Sequence, residues 1–73
     1  MKLPIVKVDE INHFRAGEIV RTARIKAGIS LRNLARRMDF SAPFVSDLEL
    51  GRRNWTRETF NLALETIKKI KSA

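Results

Sequence analysis

Residues 29–51 read ISLRNLARRMDFSAPFVSDLELG, and this stretch decides the fold. Ser30 is a residue type that caps helix N-termini, its side-chain oxygen accepting a backbone N–H of the first turn. It precedes Leu31, Leu34, Ala35 and Met38, apolar residues at helical spacing. Ile29 and Leu34 stand just before the cap and four residues after it, where a hydrophobic staple needs them. The same grammar then repeats, with Phe40 and Val45 as staple and Ser41 as cap. Two short helices are therefore expected over 31–38 and 42–50, joined by Asp39-Phe40-Ser41, with Gly51 ending the second. Pro43 is tolerated in a first helical turn, although it biases Ala42 away from helical angles.

Working outward, Trp55-Thr56 supplies another staple and cap, with Phe60 completing the staple. The helix that follows is expected over 57–71. Phe60, Ala63, Leu64, Ile67 and either Ile70 or Lys71 lie along one face, and Leu62 lies off it. On the other side, Ile19, Val20, Ala23 and Ala27 share helical spacing and predict a helix over 16–27, with Gly28 as a left-handed stop. Residues 1–13 are irregular. Leu3, Ile5 and either Val6 or Val8 suit a short extended segment, while Pro4 weighs against a central strand. The reading is an all-α, compact four-helix domain over 14–73 preceded by an extended N-terminal arm over 1–13, without internal repeats.

Composition narrows the function classes. Seventy-three residues make one domain with a small core. With no cysteine and one histidine, His13, disulfides and thiolate or His-rich metal sites are excluded, and His13 reads as a surface or arm residue. The sequence offers no Gly-rich phosphate loop, no paired catalytic carboxylates and no nucleophile–base pair, so neither enzymatic activity nor a cofactor or metal is expected. The net charge is +7, and it is uneven. Residues 1–20 balance, whereas between Arg21 and Arg57 nine basic residues face three acidic ones. Such a field favours a polyanionic partner, the alternative being a solvated basic surface. No apolar run approaches the ~20 residues that span a bilayer. The first residues lack the apolar core and cleavage site of a signal peptide, so a cytoplasmic location is expected.

Two short helices joined by a tight turn have the length pattern of a helix-turn-helix unit. Over about residues 17–67 the chain resembles the family of phage repressor, Cro and xenobiotic-response-type DNA-binding domains. The resemblance is carried by Arg24, Gly28, Ser30, Leu34, Ala35, Phe40-Ser41, Val45, Leu48, Glu49 and Gly51-Arg52. It implies a repressor-like domain that reads double-stranded DNA and regulates transcription, as a repressor of phage or mobile-element type. It implies a recognition helix in the major groove with Ala42, Pro43, Ser46 and Asp47 toward base edges, beginning at its cap Ser41. Ser30 and Leu31 would sit over a phosphate, and Arg52-Arg53-Asn54 would follow the backbone or reach an adjacent groove. It also implies a salt bridge between Arg24 and Glu49 that sets the angle between helices. Counting charges, rather than the resemblance, adds one or two of Arg32, Arg36 and Arg57 as phosphate contacts.

The departures from the family pattern matter. Ala42 and Pro43 offer no side-chain hydrogen bond, although Ala42 suits a thymine methyl. Asp47 either accepts from a cytosine amino group or repels nearby phosphates. Asp39 replaces the glycine usual in the turn, where a left-handed conformation is needed. More of the readout then falls to Arg52, Arg53, Arg57, Asn54 and Ser46. Arg36 and Arg37 suit either phosphate contact or plain solvation, and Trp55 reads as core rather than as a base-stacking residue. One such domain reads few base pairs, so a homodimer is expected, through the C-terminal helix at Leu62, Thr66 and Ile70 with help from the arm at Leu3 to Val8. The competing class is a protein-interaction module or antitoxin that retains the fold, for which the weak Ala42-Pro43 face is the support.

Overall fold

The computed structural model describes residues 12–72. They form four helices and no strand: α1 (His13–Lys26), α2 (Leu31–Met38), α3 (Ala42–Glu49) and α4 (Arg57–Ser72). The expected arm lies outside the described residues as far as Ile11. Asn12 and His13 belong instead to the start of α1, three residues earlier than the apolar spacing suggests, because the Asn12 Oδ1 accepts the Arg15 N–H at 3.0 Å and caps the helix.

The remaining helix starts follow their caps. Ser30 Oγ accepts from Asn33 N–H at 3.0 Å, Ser41 Oγ from Phe44 N–H at 3.2 Å, and Thr56 Oγ1 from Thr59 N–H at 3.0 Å. α1, α2 and α3 also end alike. At Gly28, Asp39 and Gly51 the chain turns left-handed, with φ of 72°, 66° and 79°. In each turn the next residue's N–H returns to a carbonyl five residues back: Ile29 to Arg24, Phe40 to Ala35, and Arg52 to Asp47. These are Schellman turns, in which orphan helix carbonyls are satisfied. Asp39 does the work of glycine in the middle one.

α1 and α2 each pack against both α3 and α4. Val20, Leu34, Val45 and Leu48 are fully buried at the centre, with Trp55, Ala63 and Ile67 completing the core. The Trp55 and Phe60 rings meet edge to face, their centroids 5.8 Å apart. At Gly17, α1 crosses the C-terminal end of α3 so closely that a Cβ there would collide with the Leu48 and Glu49 carbonyl oxygens. This crossing corrects the expected inner face of α1. Ala16, Gly17 and Val20 are buried, whereas Ile19 is 38% exposed. In α4 the inward residues are Ala63, Thr66 and Ile67. Thr66 therefore does not lie on an outer face as expected: it is buried, and its hydroxyl donates to the Leu62 carbonyl at 2.7 Å. Ile70 is half-buried against the core, so of the three expected interface residues only Leu62 is exposed.

Candidate nucleic-acid interface

The orientation of α3 is set at its C-terminal end. Val45, Leu48 and Glu49 point inward. Arg24 Nε donates to Glu49 Oε2 at 2.8 Å and Nη2 donates to Oε1 at 3.0 Å, while Nη1 donates to the Ile29 carbonyl at 2.9 Å. One guanidinium thus joins α1, the residue before the α2 cap, and the end of α3. The fork geometry of arginine matches both carboxylate oxygens, and the neighbouring carbonyl takes a further donor. With side-chain exposures of 12% and 3%, the pair lies largely out of water.

With that side inward, the other flank of α3 faces solvent. Pro43 is exposed, and Ala42, Phe44, Ser46 and Asp47 are half-buried. A shallow groove on one side is lined by Ser30, Leu31, Arg32, Asn33, Arg36 and Ala42. A second is lined by Phe44, Asp47, Arg52, Arg53 and Asn54. The expected contacts thus fall into two groups flanking α3, with Ser41 and Pro43 exposed at its start. Arg57 is exposed at the first residue of α4 and lines neither groove. Arg36 joins the first groove, whereas Arg37 does not.

The loop carrying Arg52 and Arg53 is held at both ends. Gly51 closes α3, and Phe14 packs against it at a distance that leaves no room for a Cβ. Trp55 anchors the far end: its ring Nε1–H donates to the Leu48 carbonyl at 2.9 Å, and its backbone N–H donates to His13 Nδ1 at 2.7 Å. His13 is therefore a loop anchor rather than a surface or arm residue. Within the loop, Arg52 Nη1 and Arg53 Nε each lie 3.8 Å from a carboxylate oxygen of Asp47. The Arg53 guanidinium also lies over the Phe44 ring, 5.0 Å from its centroid, and Phe44 stands edge-on to Phe40.

Sequence reasoning missed His13, Gly17 and Phe44. The first two act across 42 residues and across a helix crossing, for which no local pattern exists. Phe44 did carry a signal, as an aromatic residue off the Val45–Leu48 stripe of its helix. Among the described residues no cluster of His, Cys, Asp and Glu suits a metal ion, and no helix is long and apolar enough to cross a membrane. In comparisons with known proteins, no family model, curated protein or solved structure matches the chain.

Proposed function

We propose that this chain is a helix-turn-helix domain that binds double-stranded DNA in a sequence-dependent manner and represses transcription by occupying its site. The observation that carries this reading is the solvent-facing flank of α3 with a groove on either side, each lined by exposed arginines: Arg32 and Arg36 in one, Arg52 and Arg53 in the other. A helix laid in the major groove needs that distribution, because the phosphate ridges rise on both sides of it. In this reading Ala42, Pro43 and Ser46 face base edges. The start of α2 at Ser30 and Leu31 meets a phosphate, and Arg32, Arg52, Arg53 and Arg57 hold the backbone. The protein works without chemistry or cofactor, in the cytoplasm, as a phage or mobile-element regulator. Two copies bind half-sites about one helical turn apart, with the exposed Leu62 of α4 at their interface.

The test is a selection from a random duplex pool, followed by titration of the enriched and scrambled duplexes across salt. A dimer using three or four cations per subunit neutralises roughly six to eight phosphates, which corresponds to a loss of ~10³–10⁴ in affinity between ~50 and ~200 mM salt. Arg52→Ala and Arg53→Ala should each weaken binding and flatten the salt slope by about one unit per lost phosphate contact. Affinity indifferent to salt and to both substitutions would overturn the reading and favour a protein-interaction module.

A further inference from the structure

The groove between α3 and the following loop contains more than phosphate binding requires. Asp47 places a carboxylate between two arginines, 3.8 Å from Arg52 Nη1 on one oxygen and 3.8 Å from Arg53 Nε on the other. The geometry is built by the backbone: the Schellman turn at Gly51 has the Arg52 N–H donating to the carbonyl of Asp47 itself at 2.9 Å, which folds the loop back over this residue. The Arg53 guanidinium also rests over the Phe44 ring. Both guanidiniums keep most of their side-chain surface in water, 70% for Arg52 and 56% for Arg53. These contacts are long and open, so they hold the arginines in place without binding them tightly. A phosphate offers the same guanidinium shorter, bidentate bonds.

We propose that Asp47 is an internal counter-ion for Arg52 and Arg53. It occupies both guanidiniums in the free protein and yields them to phosphate when DNA arrives, and so sets the overall affinity rather than the sequence preference. The inference rests on the DNA-binding reading and adds a brake to it. On binding, the carboxylate left behind recruits solvent and cations. That uptake offsets part of the counterion release, so the salt dependence is shallower than the number of phosphate contacts implies. The effect acts through the two arginines and not through a base edge, which separates it from hydrogen bonding between Asp47 and cytosine.

The experiment titrates the intact chain and its variants with an enriched duplex and a scrambled one. Asp47→Asn should tighten binding to both by the same factor, about 2- to 5-fold for the loss of the weak exposed pairs in two subunits, with a salt slope steeper by about one unit per subunit. Asp47→Glu, which keeps the charge, should stay near wild type. In the Arg52→Ala/Arg53→Ala background, Asp47→Asn should lose its effect. An effect that persists there means direct repulsion of phosphate and overturns the inference. So does weaker binding of the enriched duplex alone with relaxed preference at one base pair, which means base readout. If wild type binds DNA and Asp47→Asn changes nothing, this inference alone falls; if wild type binds neither duplex, the DNA-binding reading falls with it.

Discussion

Glu49 and Asp47 sit two residues apart on α3 and both face arginine, yet the side chain of Glu49 is 3% exposed and that of Asp47 is 36% exposed. The first pair is bidentate, with contacts of 2.8 and 3.0 Å, and the second set reaches only 3.8 Å. The same chemistry therefore has two uses. Out of water, a charge without its partner is very unfavourable, so the Arg24–Glu49 pair locks the helices together. In water a guanidinium can exchange acceptors at little cost, so the Asp47 contacts suit a surface that must take up another anion.

Substitution at the buried pair should have the largest effect. Arg24→Ala leaves Glu49 without its partner and should cost ~3–5 kcal/mol in urea unfolding, each kcal/mol lowering Tm by ~4–8 °C in a domain of this size. Replacing both residues with apolar ones, Arg24→Met with Glu49→Leu, should recover most of the loss, because neither charge then remains buried. A loss below ~0.5 kcal/mol for Arg24→Ala would place this pair in the same class as the exposed ones.

His13→Ala probes the hydrogen bond that holds the exposed arginines' loop from behind. The Trp55 N–H loses its acceptor, a loss of ~1–2 kcal/mol. Amide exchange should quicken at residues 52–56 first. Uniform quickening across all helices would mean that His13 supports the whole fold and not the loop.

The turns at the two ends of α3 give a smaller effect of opposite sign. Gly51 already has the residue that a left-handed turn prefers, whereas Asp39 holds φ at 66° with a side chain. Asp39→Gly should raise stability by ~1 kcal/mol in thermal unfolding. No gain would mean that the Asp39 side chain stabilises its turn by as much as its backbone conformation costs. Smallest of all, Asp47→Asn should change folding stability by less than ~0.5 kcal/mol. A larger loss in urea unfolding would make the Asp47 contacts structural and erase the contrast with Glu49.

Most of the helix map was legible in the sequence. Ser30, Ser41 and Thr56 cap helices through contacts three residues away, and Gly28, Asp39 and Gly51 end them through turns of similar reach. These signals are local, so the order of residue types carries them. Apolar spacing alone starts α1 three residues late, because the helix begins at its Asn12 cap and not at its first regularly spaced apolar residue. The candidate site was less legible. The residues flanking α3 and the Arg24–Glu49 pair follow only from resemblance to a family, since pairing across 25 residues has no local signature.

What the sequence determined by itself was where α2, α3 and α4 begin and where α1 and α3 stop, because caps, staples and glycine turns act within about one helical turn. Only the tertiary structure decided that Gly17 must lack a side chain, since the Leu48 and Glu49 carbonyls that exclude one arrive from another helix. It also decided that His13 anchors Trp55. Asp47 shows the limit most clearly. Arg52 and Arg53 lie only five and six residues beyond it, but whether they extend away or fold back over α3 depends on the path of the loop. Beyond the turn at Gly51, that path is held by Gly51 packed against Phe14 and by the Trp55 N–H bonded to His13, contacts that exist only once α1 is in place.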